Sequence, residues 1–275
     1  MHAKSQSILV VKLGGTEGVD YSAICEDVAG LIDAGQKVVV VHGGSAEANI
    51  LGETIGHPPQ FFTSPSGFTS RYTDPKTLEV FTMAVNGKVN TQLVSQLQGM
   101  GVNAFGISGL DGQLMKAKRK EAIRCVQNGR RFVVRNDQSG KIKQVDANLL
   151  QLLLNNGYVP VVAPLAIGEG GEALNTDADR AAAMVAASLQ AEKLLLLTAV
   201  PGLMRDFPDE ETLISRLQIS QLDDAMQYAE GRMKKKVLGA QEALRGGVKQ
   251  VIIADGRSPH PISQALSGLG TWILA

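Results

Sequence analysis

Ile8-Leu9-Val10-Val11-Lys12-Leu13-Gly14-Gly15 and Val38-Val39-Val40-Val41-His42-Gly43-Gly44-Ser45 are two apolar runs that each end in a pair of glycines. Each run reads as a strand buried on both faces. The glycines that follow let bare backbone N–H groups come close to an anion at the start of the next helix. Two such turns on neighbouring parallel strands aim at one place, where Lys12 adds a full positive charge. The pattern predicts a site that holds phosphate.

Outward from these two turns, apolar runs and amphipathic stretches alternate. Strand-like runs fall at 8–13, 37–42, 102–107, 159–163, 193–198, 249–254 and near 271–274, with helical patterns at 20–35, 45–55, 76–99, 146–156, 177–190 and 230–246. Strands alternating with helices predict an α/β fold, a three-layer αβα sandwich around a mainly parallel open sheet. Asp20 and Asp74 suit helix N-caps, the second followed by Pro75. The exception is 114–145, where Phe132-Val133-Val134 and Ile142-Lys143-Gln144-Val145 flank Asn136-Asp137-Gln138-Ser139-Gly140 and predict an antiparallel hairpin. Gly168-Glu169-Gly170-Gly171 suggests a boundary, with an N-terminal lobe over 1–170 that includes the basic 114–145 region and a C-terminal lobe over 171–275.

The 275 residues suffice for a large core, and 44% hydrophobic and 20% charged residues are ordinary for a globular protein. Zero net charge gives no bulk attraction to nucleic acid or membrane, and no apolar run approaches the roughly 20 residues of a bilayer span. The first residues lead straight into a strand without a leader pattern, and Cys25 and Cys125 lack metal-ligand spacing; both features point to the cytoplasm. The zero balance hides an asymmetry. Between Lys116 and Lys143, ten basic residues oppose only Glu121 and Asp137, so this segment carries +8 and the rest −8. A patch of this kind is either a solvated surface or the seat of a specific anionic partner.

P-loop, dinucleotide, H-E-x-x-H and G-x-S-x-G motifs are all missing. Three further clusters can carry chemistry. Asn175-Thr176-Asp177-Ala178-Asp179-Arg180 opens an apolar helix; Thr176 and Asp177 suit a cap, whereas Asp179 should face something charged, with Asn175 four residues before it on the same helical face. Gly231-Arg232-Met233-Lys234-Lys235-Lys236 places cations at a helix N-terminus, where they oppose the helix dipole unless an anion is bound. Ser70-Arg71-Tyr72-Thr73-Asp74 puts an arginine just ahead of a helix, able to clamp a carboxylate or form a surface ion pair. His42 ends a buried strand and reads first as a histidine satisfied within the core.

Taken in order, K-x-G-G, H-G-G, Arg-x-Thr-Asp, the Gly106–Gly112 loop of form G-x-S-G-x-D-G, Asn-x-x-x-Asp and Met-x-x-Lys resemble the amino acid kinase superfamily, in particular its N-acetylglutamate kinase branch. The likeness spans about Ser7 to Ile273. It is closer still to the subgroup that phosphorylates 2-aminoadipate carried on the small acidic protein LysW. Ser45 in place of a third glycine, Ser-Arg-Tyr-Thr-Asp at the arginine, and the basic run Lys116-Ala117-Lys118-Arg119-Lys120 point there.

The resemblance implies transfer of the ATP γ-phosphoryl group to a side-chain carboxylate of an amino-blocked aminoadipate, giving an acyl phosphate in lysine biosynthesis. Its alternatives are an acetylglutamate or carrier-bound glutamate kinase of arginine biosynthesis and, more remotely, a non-catalytic anion or nucleic-acid binder. It implies that Lys12, Lys236 and Asp179 are catalytic, with Asp179 holding the two lysines. Gly43, Gly44, Ser45, Arg71 and Asn175 would meet the acceptor. Gly14, Gly15, Thr198, Val200, Gly202, Leu203 and Met233 would meet ATP, and Ala199 departs from the Asp or Asn of many relatives. Lys116, Lys118, Arg119 and Lys120 would dock a LysW-like acidic carrier. Mg²⁺ would arrive with ATP rather than in a protein metal site. A homodimer built through the N-terminal lobe is expected, with no nucleic-acid or membrane partner.

Overall fold

The computed structural model describes residues 7–15, 21–127 and 130–275; the expected cap at Asp20 lies outside them. In chain order the strands and helices are β1 (Ile8–Leu13), α1 (Tyr21–Asp33), β2 (Lys37–His42), α2 (Ser45–Thr54), β3 (Phe61–Thr63), β4 (Thr69–Arg71), α3 (Pro75–Thr82), α4 (Thr91–Gly99), β5 (Ala104–Ser108), β6 (Met115–Arg119), β7 (Ile123–Gln127), β8 (Arg130–Val134), β9 (Gly140–Val145), α5 (Ala147–Asn155), β10 (Val159–Ala163), β11 (Leu165–Ile167), β12 (Ala173–Asn175), α6 (Ala178–Ser188), β13 (Lys193–Thr198), β14 (Arg216–Gln218), α7 (Leu222–Ala225), α8 (Gly231–Arg245), β15 (Gln250–Asp255), α9 (Pro261–Leu266) and β16 (Thr271–Leu274). A π-helical segment, Met83–Asn90, joins α3 to α4 with helical dihedrals at both junctions, so the helix expected over 76–99 runs unbroken with a π-helical middle.

The central sheet has eight strands in the order β14-β16-β15-β13-β1-β2-β10-β5, parallel except where β15 meets β16. Its apolar strands bury alternate residues on both faces, as their unbroken hydrophobic runs require. Val10, Val39, Val41, Leu194 and Leu196 pack under α6 and α8, while Leu9, Val11, Val38, Val40 and Leu195 pack under α1, α4 and α9. Each such side chain contributes about 1.5–3 kcal/mol of burial. The predicted three-layer α/β sandwich is therefore the observed one.

The hairpin expected between 132–134 and 142–145 does not form. Strand β8 pairs with β7, in a small sheet ordered β4-β3-β7-β8, and β9 pairs with β6, in another ordered β12-β11-β6-β9. The residues taken for its turn are instead tied elsewhere. Asp137, 1% exposed, accepts from the Thr73 amide at 2.9 Å and from the Ser139 amide at 2.8 Å, and the Gln138 amide donates to the Thr73 carbonyl at 2.6 Å. This link pins the basic region to the loop that follows Arg71.

Candidate active site

Leu13 lies opposite His42 in the β1–β2 ladder, so both Gly-Gly turns leave the sheet at one edge. They pack backbone to backbone: the Gly43 amide donates to the Leu13 carbonyl, and the Ala46 amide to the Gly15 carbonyl, both at 3.1 Å. A Cβ on Gly15 would overlap the Gly44 amide nitrogen, which is why a side chain is not accommodated there. His42 is fully buried and braces this turn. Asn90, held to the Val161 carbonyl at 2.8 Å, donates to His42 Nε2 at 2.9 Å, which leaves the Nδ1 proton to donate to the Gly43 carbonyl at 2.7 Å. Burial, with Lys12 nearby, pushes the imidazole down to about 4 despite that carbonyl, so it is neutral.

Helix α6 begins with Asp177 as its cap, accepting from the Asp179 and Arg180 amides at 3.1 and 3.2 Å, as the capping pattern predicts. Ala181, Ala182, Ala183 and Ala186 are fully buried and leave little bulk on this helix. Gly239 adds a close approach from α8: a Cβ there would stand 3.2 Å from the Asp179 carbonyl oxygen. The tight pairing of α6 with α8 brings Lys236 to Asp179, at 3.1 and 3.2 Å from its two oxygens. Lys12, at the end of β1, reaches the same carboxylate at 2.8 Å. All three are nearly buried, at 5%, 7% and 6% exposure for Lys12, Asp179 and Lys236. Burial raises the Asp179 carboxyl, but the two ammonium groups outweigh it and hold the group well below the usual carboxylate range. Burial, reinforced by Lys12, lowers Lys236 against the pull of Asp179. Two cations sharing one carboxylate leave a net positive charge in a dry place, which favours an incoming anion.

Two cavities, each of about 400 Å³, flank this cluster. The Arg71 cavity is lined by Gly43, Gly44, Ser45, Arg71 and Asn175, the residues expected to meet the acceptor. Arg71 is fixed by the Asn49 side-chain oxygen at 2.6 Å and the Ser45 carbonyl at 3.2 Å, and its guanidinium lies 5.1 Å from the Phe61 ring centre. These are neutral partners, so its charge stays available; it is not the surface ion pair of the alternative reading. Asn175 ends β12 and donates to the Thr73 hydroxyl at 3.0 Å. It therefore does not share a helical face with Asp179, because α6 starts only at Ala178.

The Met233 cavity is lined by Thr198, Ala199, Val200, Gly202, Leu203, Met233 and Lys236. Phe207 and Tyr228 also line it; neither was legible in advance, because both come from a segment without strand or helix periodicity. Gly14 and Gly15 line neither cavity, and Gly15 sits against Gly43 and Gly44 between β1 and β2.

The basic run divides. Lys116 and Lys118 are exposed on β6, beside exposed Lys141 and Lys143 on β9, with Lys118 directly opposite Lys141. Arg119 turns to the Asp137 carbonyl at 2.9 Å, and Lys120 lines the Arg71 cavity, where burial lowers its ammonium despite Asp137. Among the described residues no group of three or more His, Cys, Asp or Glu could hold a metal ion, and no helix is long and apolar enough to cross a membrane.

The chain has relatives among known proteins. The sequence pattern of the amino acid kinase family matches residues 7–255. LysW-aminoadipate kinase of Deinococcus radiodurans is 51% identical over 96% of this chain and 91% of its own length. Among solved structures, N-acetylglutamate synthase of Neisseria gonorrhoeae complexed with coenzyme A and N-acetyl-glutamate has a TM-score of 0.79 at 28% identity; 98% of this chain is matched, spanning 59% of that longer one. Carbamate kinase of Giardia lamblia bound to AMP-PNP shares the fold, with a TM-score of 0.69 at 17% identity over 99% of both chains. With the family pattern extending over residues 7–255, this chain belongs to the amino acid kinase family.

Proposed function

We propose that this protein transfers the γ-phosphoryl group of ATP to the side-chain carboxylate of 2-aminoadipate whose amino group is joined to a LysW-like carrier, a step of lysine biosynthesis. The observation that carries the reading is Lys12 and Lys236 sharing Asp179 beside two cavities of similar size. A carboxylate acceptor is already ionised at neutral pH, so no general base is required. The obstacle is bringing two anions together, and fixed positive charge answers it. Lys12 and Lys236 stabilise the phosphoryl group in flight, Asp179 orients them, and the amides of the Gly14–Gly15 and Gly43–Gly44 turns line the path. Arg71 and Asn175 hold the α-substituents of the acceptor.

The nucleotide is assigned to the Met233 cavity, whose lining residues all belong to 171–275, and the acceptor to the Arg71 cavity, built largely from 1–170. Asp179 is already engaged by two lysines and offers no free carboxylate for Mg²⁺. The ion is accordingly read as part of the nucleotide substrate, held by its phosphates and water.

The carrier is supported by three observations. The 51% identical relative bears the name LysW-aminoadipate kinase. A further cavity of about 290 Å³ shares Ser70, Arg71, Lys120, Asp177 and Lys235 with the Arg71 cavity, so the space continues beyond it. On β6 and β9, like charges stand opposite each other, which costs stability unless an anionic partner covers them. The protein is placed in the cytoplasm as a homodimer on the same reading. The test is to offer ATP with carrier-bound aminoadipate, free acetylaminoadipate or free acetylglutamate, and to trap acyl phosphate with hydroxylamine. Selective product from the carrier-bound acceptor is expected; preference for free acetylglutamate overturns the assignment.

A further inference from the structure

Among the described residues, only Gly231 and Arg232 line both the Arg71 cavity and the Met233 cavity. They form the first turn of α8, with Gly231 at φ 48, a left-handed conformation that favours glycine and sets the direction in which the helix departs. Of the other cations of this turn, Lys235 pairs with Asp177 at 3.3 Å and Lys236 with Asp179 at 3.1 Å, while Lys234 lines neither cavity. Arg232 makes no ion pair with a carboxylate among the described residues. It stands at a helix N-terminus, where a cation opposes the dipole, and it faces a second cation, Arg71, across the shared space. Burial, with Arg232 as the like charge beside it, pushes the Arg71 guanidinium down to about 10. Arg232 is exposed, and with no carboxylate partner among the described residues its guanidinium is available to an anion at this junction.

We propose that Arg232 is a further catalytic residue: its guanidinium contacts oxygens of the phosphoryl group as that group passes from the nucleotide cavity to the acceptor cavity. The inference rests on the assignment of the two cavities made above. In the step itself, an acceptor carboxylate oxygen bonds to the γ-phosphorus. The bond from that phosphorus to the β,γ-bridging oxygen breaks, its electron pair stays on ADP, and no proton moves. Negative charge shifts along this line. Lys12 and Lys236 meet it from the buried side, and Arg232 meets it from the open side. The planar fork of arginine donates to two oxygens at once, which a lysine at this place cannot match.

The experiment compares the wild type, Arg232→Ala and Arg232→Lys as full chains, using whichever of the three acceptors above the wild type turns over. Arg232→Ala is expected to lower kcat on the order of 100-fold while both KM values stay within about threefold, the signature of an interaction made in the transition state. Arg232→Lys keeps the charge and the helix start; it is expected to lose about tenfold in kcat, and it serves as the decisive variant if the alanine chain fails to fold. Binding of ADP with aluminium fluoride and acceptor should weaken in both variants while binding of ADP alone does not change. Unchanged kcat, or a rise in acceptor KM alone, overturns the proposal. Turnover of a free acetylated acceptor only would remove the carrier from the functional reading and leave Arg232 still tested. No turnover with any acceptor contradicts both.

Discussion

The buried cluster of Lys12, Asp179 and Lys236 and the exposed lysines of β6 and β9 are both concentrations of positive charge, yet physics gives them different work. In the cluster, two ammonium groups share a carboxylate at 2.8 to 3.2 Å, away from water. Charge there acts strongly on a bond being made or broken, and salt hardly reaches it. On the strands, Lys116, Lys118, Lys141 and Lys143 face solvent. Charge there is screened within about a Debye length and acts on encounter rather than on chemistry. One region should set kcat and the other KM and its dependence on salt.

The largest effect should come from breaking the balance inside the cluster. Asp179→Asn leaves two ammonium groups facing each other without an anion, and it should cost about 3–5 kcal/mol of stability as well as most activity. Urea unfolding checks the first part; an unchanged midpoint would mean that water reaches the lysines. Lys12→Ala and Lys236→Ala are gentler on the fold, because each leaves one lysine paired with Asp179. Their expected cost is kcat, on the order of 100-fold or more, with an unfolding midpoint close to that of the wild type.

A third prediction uses His42, which braces the Gly43 turn without belonging to either charged region. In the unfolded chain it takes up a proton near 6.5, and in the folded chain near 4. Between those values the unfolded state binds more protons. Stability should thus fall as pH drops from 6.5 towards 4, by about 3 kcal/mol from this group, and be indifferent to it above 6.5. Urea midpoints at pH 7 and pH 4.5 measure it. His42→Gln should flatten that part of the profile, since the amide does not titrate; a slope that persists assigns the acid sensitivity elsewhere. The smallest effect belongs to the strands. Neutralising Lys116 and Lys118 together should raise KM for the carrier-bound acceptor by about tenfold at low salt, flatten its salt dependence and leave kcat unchanged. A fall in kcat would erase the distinction between the two regions.

What could be read from the sequence follows the range of the interactions involved. The two Gly-Gly turns are legible because in each the apolar strand and its glycine pair lie within eight consecutive residues. The αβα layering was legible because continuous apolar runs have no other stable home. Asp179 could be singled out as a carboxylate opening an apolar helix, but its partners 167 residues upstream and 57 downstream in the chain came only through family resemblance. The β8–β9 mispairing has a plain cause. The local apolar pattern says which residues a strand buries and nothing about which neighbour it takes, and β6 offers β9 an alternating partner as well. Lys118 and Lys120 look alike in a row of cations, yet one faces solvent on a strand and the other lies beyond its end, in a cavity. The Asn49 contact that fixes Arg71, and the position of Arg232 between two cavities, depend on how α2 and α8 are set against their neighbours, which no local pattern encodes.

The buried lysines acting on the transferring group are the centre of the mechanism. The direct measurement is the single-turnover rate of acyl-phosphate formation by quenched flow, with ATP and carrier-bound aminoadipate both saturating, for the wild type and Lys236→Ala. A fall on the order of 100-fold or more, at an unchanged affinity for the acceptor, is the predicted result. An equal rate in the two proteins would contradict it.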